Sequence, residues 1–70
     1  MFNFNMSTKE NFASFMDKES GKSVFVDSFD NTEFDVRVGT MTASKFVGTI
    51  HAESDKLLNT KLQRLVQEVA

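Results

Sequence analysis

The segment Gly21-Lys22-Ser23 is the part of the chain closest in sequence to a nucleotide-binding motif. In a phosphate-binding loop, backbone amides cradle the phosphates, the lysine neutralises charge and the hydroxyl meets Mg²⁺. That motif needs another glycine five residues earlier, where this chain has Met16. A strand-like pattern also follows it, where the motif requires a helix. We therefore interpret Gly21 as the end of a helix rather than as part of a phosphate site.

Four carboxylates with no basic residue among them follow in the next stretch, at Asp27, Asp30, Glu33 and Asp35. Carboxylate oxygens suit a hard cation, but a calcium loop needs a central glycine and a terminal glutamate at spacings that this segment lacks. The sequence therefore predicts no metal site. Two interpretations stay open: a solvated hairpin tip, or a docking surface for a basic partner that mimics a phosphate backbone.

His51 is the only histidine, and the chain has no cysteine. Nucleophilic catalysis needs a hydroxyl or thiol beside a base, and spacing alone places neither a nucleophile nor a carboxylate next to His51. The absence of cysteine excludes a disulfide and a thiolate zinc site. We expect an exposed histidine, no enzymatic activity and no cofactor.

Length and charge restrict the class of protein further. The 70 residues allow a single domain over 1–70, and the formal charge of −2 disfavours generic attraction to nucleic acid or an anionic membrane. The longest apolar run is Val24-Phe25-Val26, and residues 1–6 lack the pattern of a signal peptide. We expect a soluble cytoplasmic protein, and its Phe-rich composition without Pro, Trp or Tyr favours a phage, mobile-element or low-GC bacterial source.

The first half of the chain begins with a helical pattern. Ser7 and Glu10 have the spacing of a capping box, and Phe12, Phe15 and Met16 then recur at the positions of one helix face. These spacings predict a helix that starts near Ser7 and ends before Gly21. Residues 1–6 form either an additional edge strand or a tail whose Phe2 and Phe4 cover the core.

From Lys22 to His51 the hydrophobic period changes to two, which predicts three antiparallel strands. A two-residue turn at Asp30-Asn31 pairs Phe25 with Val36, and Val36 in turn pairs with Phe46. One face of the sheet then collects the large apolar side chains, and a slip of one residue would scatter them. Gly48 on that face indicates a bulge or a close approach of a helix.

A second helix is predicted after Ser54, its N-terminal cap, with a stripe of aliphatic residues ending at Val69. The predicted fold is α+β: a two-layer αβββα arrangement, with a three-stranded meander and both helices on one face. The predicted core consists of Phe12, Phe15, Met16, Phe25, Phe34, Val36, Phe46, Ile50, Leu58, Leu62, Leu65 and Val69.

The opposite, outward face of the predicted sheet carries three valines in a charged surround. Such a face is typical of a small recognition patch or a homodimer interface, the alternative being that surface valines satisfy strand propensity alone. Together with the acidic hairpin it supplies the candidate partner-binding residues Val24, Val26, Val47, Asp35, Arg37, Asp27, Asp30 and Glu33.

The predicted function is a non-enzymatic protein-interaction module, an inhibitor or adaptor. As an alternative, the predicted element order over residues 7–70 resembles the double-stranded RNA-binding domain, which implies RNA binding. That family has a Lys-rich cluster at the start of its second helix, where residues 54–61 supply only Lys56 and Lys61, and the hairpin loop here carries Asp30. We therefore expect weak binding of nucleic acid and no binding to membranes.

Overall fold

The computed structural model describes residues 3–40 and 42–69, with the side chain of Val69 excepted. Four strands, β1 (Phe12–Met16), β2 (Ser23–Ser28), β3 (Glu33–Gly39) and β4 (Ser44–His51), precede one helix, α1 (Asp55–Val69). The strands form a single antiparallel sheet in the order β1-β2-β3-β4, and α1 packs on one side of it, most closely against β4. We call this side the inner face and the opposite side the outer face.

The predicted αβββα order is wrong, because the segment expected to form the first helix is strand β1. The contact expected of a capping box exists, since the Ser7 N–H donates to Glu10 Oε1 at 2.9 Å, but it closes a turn. The helical stripe covered little more than one turn, too short to nucleate a helix by itself. Phenylalanine also favours strands, and β1 completes its hydrogen bonds by pairing with β2.

Without a first helix, the likeness to the RNA-binding domain is lost as well. Gly21 lies in the turn between β1 and β2 with a φ of +73°, which favours glycine. Its N–H donates to the Asp17 carbonyl at 2.9 Å, and the Asp17 N–H donates to the Lys22 carbonyl at 2.9 Å. Gly21 therefore shapes a hairpin turn instead of ending a helix.

Strands β2 and β3 pair one residue away from the predicted register. Val26 lies opposite Val36, and Phe25 lies opposite Arg37. The turn is one residue longer than predicted, and Asn31 lies at its tip in the left-handed region at a φ of +62°. Ser28 and Asp30 stabilise it: Ser28 Oγ accepts from the Asn31 N–H, and Asp30 Oδ1 accepts from the next two N–H groups.

A bulge in β4, the last of the three predicted strands, likewise shifts its register against β3 by one residue. Val36 pairs with Gly48 and Arg37 with Phe46, so Val47 has no partner in the register. Gly48 and Ile50 occupy the inner face as predicted, while Phe46 is turned to the outer face. Both interpretations of Gly48 are confirmed, since it adjoins the bulge and a Cβ there would lie 3.5 Å from a methyl of Leu65.

These two changes of register decide which residues form the core. The expected exposure of Val24 and Val26 is wrong, because both are fully buried, and Val47 packs partly buried against the core. Phe12, Met16 and Phe46 are exposed, contrary to prediction, and the Val69 side chain lies outside the described residues. The buried apolar residues are Met6, Val24, Val26, Phe34, Val36, Ile50, Ala52, Leu58, Leu62 and Val66.

The N-terminal segment covers one side of the core without forming a strand in residues 3–11. Met6 is buried, and the Phe4 ring meets the Phe15 ring edge-on, with centroids 5.0 Å apart. Phe2, the other residue expected to cover the core, lies outside the described residues. Helix α1 starts as predicted, because Ser54 Oγ accepts from the Leu57 N–H at 3.2 Å.

Candidate protein-interaction surface

The outer face is built from side chains that lie side by side across the strands. One row runs from Ser14 through Phe25 and Arg37 to Phe46. The next row runs from Phe12 through Asp27 and Asp35 to Thr49, and Met16 begins the row on the other side. The outer-face patch is defined as Phe12, Met16, Phe25, Arg37 and Phe46.

The apolar side chains of the outer-face patch are open to solvent. Phe12 is 58% exposed, Met16 65% and Phe46 54%, while Phe25 is half-buried between its neighbours. Phe12, Phe25 and Arg37 line a shallow groove together with Asp27 and Ser44. Scattered exposed apolar residues are ordinary, but three large ones beside the half-buried Phe25 on one sheet face form a patch typical of protein contacts.

Carboxylates border this patch on the side of the β2–β3 turn. Asp27 lies directly opposite Asp35 across the strands, an arrangement of like charges that disfavours strand pairing. Thr49 Oγ1 donates to Asp35 Oδ1 at 2.9 Å. Within residues 3–40 and 42–69, neither aspartate forms an ion pair with Arg37, although Arg37 lies in the adjacent row.

The acidic border continues around the turn. Glu33 and His51 lie opposite each other on the outer face, and His51 Nε2 lies 3.8 Å from a carboxylate oxygen of Glu53. The N–H groups of Glu33 and Thr32 bind the Asp30 carboxylate and lower its pKa. Asp30 is therefore an organised part of the turn as well as a surface charge.

The structure separates the residues that the sequence had grouped as a partner site. Asp27, Glu33, Asp35 and Arg37 lie on the outer face, and Asp30 lies at the turn beside it. The three valines of that prediction lie on the other side of the sheet, in or against the core. Phe25 and Phe46 were missed because the predicted register turned them inwards, and Phe12 and Met16 were missed because they were assigned to the core face of a helix.

One sequence signal for the true register was present. Asn tolerates the left-handed conformation better than other non-glycine residues, so Asn31 allowed a longer turn than the two-residue turn assumed. Gly48 was a second signal, since it marked the position of the bulge at Val47 without giving its effect on Phe46.

The chemistry of a metal or phosphate site is missing from the described part of the chain. No group of three or more potential metal ligands comes together there, and Lys22 and Ser23 pass from a turn into β2 without a helix behind them. Within those same residues, no helix is long and apolar enough to cross a membrane.

Comparison of the chain with protein-family models, with curated proteins and with solved structures gives no match. The surface itself is therefore the basis for a functional interpretation.

Proposed function

We propose that this protein is a small non-enzymatic interaction module, an inhibitor or adaptor, whose outer-face patch binds another protein. The supporting observation is the exposure of three large apolar side chains, Phe12, Met16 and Phe46, on one face of the sheet. Burying each of them in an interface would contribute roughly 1.5–3 kcal/mol before the costs of association. Such a surface needs no reactive residue.

The charges around the patch indicate a basic partner. Asp27, Asp35 and Glu33 lie on the outer face and Asp30 at its end, against the single guanidinium of Arg37. A partner that presents apolar side chains surrounded by Lys or Arg would complement both parts of this face. Complementary charge of this kind accelerates association and selects among partners more than it raises affinity.

The test is capture of a partner by the purified protein from a lysate, followed by measurement of its affinity for variants. Phe46→Ser removes one exposed ring from the outer-face patch, and Phe29→Ser is the matched control, because Phe29 is fully exposed in the β2–β3 turn. We expect Phe46→Ser to weaken binding by about 10- to 100-fold and Phe29→Ser to retain it. Equal affinity of both variants for every captured protein would contradict the proposal.

Binding of nucleic acid is the competing class of function, and the acidic border argues against it. An RNA duplex at physiological salt should bind only weakly, and sub-micromolar affinity that falls steeply with added salt would overturn the protein-binding proposal. We also propose a cytoplasmic location, which the absence of cysteine supports.

A further inference from the structure

The free edge of β1 presents backbone groups with no partner in the described structure. The Asn11 carbonyl accepts from the Ser28 N–H at 2.7 Å, and the Asp17 N–H donates to the Lys22 carbonyl at 2.9 Å. In an antiparallel pair, hydrogen-bonded positions alternate along the strand. Ala13 and Phe15 therefore bond to β2, and the N–H and C=O groups of the alternate residues, Phe12, Ser14 and Met16, point away from the sheet.

No other described part of the chain covers this edge. Met6 and Thr8 bond to the start of α1, Ser7 bonds to Glu10, and the Thr8 carbonyl accepts from the β2–β3 turn. An exposed strand edge is a ready template for pairing with another chain, and proteins usually protect it with charges, bulges or a covering segment.

The other edge of the sheet, β4, has such protection. Lys61 of α1 donates from Nζ to the His51 carbonyl at 2.6 Å, at a position whose backbone points away from β3. The bulge at Val47 interrupts the strand, and Lys45 adds a charge near its start. The sequence of β1, Phe-Ala-Ser-Phe-Met, contains neither a charge nor a bulge.

We propose that β1 pairs with β1 of a second copy of this chain, antiparallel and about a two-fold axis at Ser14. In this register Ser14 faces its own equivalent, and Phe12 of each copy faces Met16 of the other. Each of these pairs exchanges N–H···O bonds in both directions, so the outward groups of the strand are all satisfied.

The side chains match this register on both faces. On the outer face, the exposed ring of Phe12 meets the exposed thioether of Met16 from the other copy, a favourable contact between sulfur and an aromatic ring. On the inner face, the small Ala13 lies opposite the large Phe15. Because β1 carries no charge, the pairing brings no like charges together along the strand.

The dimer joins the two sheets into one continuous sheet. Its outer face carries both copies of the outer-face patch, with Phe12 and Met16 at the centre and Phe46 towards each distal edge. The pairing depends on the backbone of β1, whereas Phe46, the member of the outer-face patch tested for partner binding, lies in β4, away from the pairing. The two proposals can therefore fail separately.

The first experiment replaces the edge donor at the centre of the pairing. Ser14→Pro removes an N–H that points away from β2 and leaves the bonds between β1 and β2 intact, a position where edge strands tolerate proline. Ser44→Pro is the matched control at the opposite edge. Ala43, just before β4, exchanges hydrogen bonds with Thr40, so the backbone groups of the next residue, Ser44, point away from β3. Sedimentation equilibrium measures the mass, and circular dichroism checks the fold.

We expect the wild type and Ser44→Pro to be dimers and Ser14→Pro to be a folded monomer. Phe46→Ser should remain dimeric even where it loses the protein partner. A wild type that stays monomeric up to about 1 mM, which corresponds to less than about 4 kcal/mol of association free energy, would overturn the proposal. A Ser14→Pro variant that remains dimeric would overturn it as well. So would a monomeric wild type whose β1 edge binds a different protein, seen as a captured protein that the Ser14→Pro variant no longer binds.

The second experiment does not depend on how Ser14→Pro folds. In a hydrogen-bonded antiparallel pair the Cα atoms lie roughly 5.5 Å apart, within the range of a disulfide, and the chain has no cysteine of its own. Ser14→Cys should cross-link rapidly under mild oxidation at low protein concentration. Ser20→Cys, in the exposed β1–β2 turn, is the control. Equal rates for the two variants would contradict pairing at Ser14.

Discussion

The side-chain amide of Asn59 binds both backbone groups of Met6. Asn59 Oδ1 accepts from the Met6 N–H at 2.8 Å, and Asn59 Nδ2 donates to the Met6 carbonyl at 2.9 Å. The amide thus substitutes for a neighbouring strand and attaches the N-terminal segment to α1. One helical turn earlier, Asp55 accepts from the N–H and the hydroxyl of Thr8. Two residues one turn apart on α1 therefore hold this segment over the core.

Removing the amide should detach the segment. Asn59→Ala leaves two part-buried backbone groups of Met6 without partners, which should lower the free energy of unfolding by about 1–3 kcal/mol. Thr60→Ala is the control, because the Thr60 hydroxyl bonds only to Lys56 of its own helix. Urea denaturation measures the loss, and hydrogen exchange at the Met6 amide should accelerate in Asn59→Ala alone. Equal stability of the two variants would show that the contact contributes little.

The packing of α1 on the sheet gives a second prediction. Leu62 is fully buried and Leu57 is 41% exposed on the same helix. Leu62→Ala should lower the free energy of unfolding by about 2–5 kcal/mol through lost burial and a cavity, which is enough to unfold much of a domain this small. Leu57→Ala should cost far less. Thermal melts of the two variants measure the difference, and equal midpoints would contradict the observed orientation of the helix.

The sequence was a good guide to α1 and to the inner side of β3, because both have strong and uninterrupted periodicity. Ser54 caps the helix as expected, and Leu58 and Leu62 are buried. Phe34 and Val36 of β3 also lie in the core as predicted. In these segments the period alone determines which face is buried, and no turn can shift it.

The sequence failed where one inserted residue reverses a face. Asn31 lengthens the β2–β3 turn and Val47 forms a bulge, and each of these single-residue changes turns a Phe outwards. The candidate site suffered most from this error, because an outer face consists of the residues that a shifted register assigns to the core. The predicted first helix failed for another reason: a stripe of five residues is too short to nucleate a helix, and the segment completes its hydrogen bonds by pairing with β2.

Acid should weaken the fold through two aspartates. Hydrogen bonds from the Glu33 and Thr32 N–H groups lower the pKa of Asp30, and those from the Thr8 N–H and hydroxyl lower the pKa of Asp55, both from an ordinary value of 3.8. A lowered pKa in the folded state means that the ionised form stabilises the fold. This contribution to stability is complete at a pH above the pKa in the unfolded state, about 3.8. It disappears as the pH falls through the lower pKa that each group has in the folded state.

Thr8→Val separates these two sites. It removes the hydroxyl donor to Asp55 and keeps the backbone N–H, so the pKa of Asp55 should rise part of the way towards its ordinary value. The pKa of Asp30 should not change. An NMR titration of the carboxyl carbons measures both, and an unchanged Asp55 pKa in Thr8→Val would show that the hydroxyl is unimportant there.

The carboxylates of Asp27 and Asp35 should favour binding of a basic partner, although their mutual repulsion lowers the stability of the fold. Replacing Asp27 with lysine changes two opposed carboxylates into an ion pair across the strands, which should raise the free energy of unfolding by about 0.2–1 kcal/mol. The same change removes part of the acidic border, so a basic partner should associate more slowly and with a smaller dependence on salt.

Asp27→Asn is the control, because it relieves the repulsion without adding a positive charge. It should be intermediate in both denaturation and association kinetics. A more stable Asp27→Lys variant that binds the captured partner at the wild-type rate would show that the carboxylates do not attract it, and would confine the interface to the rings of Phe12, Phe25 and Phe46.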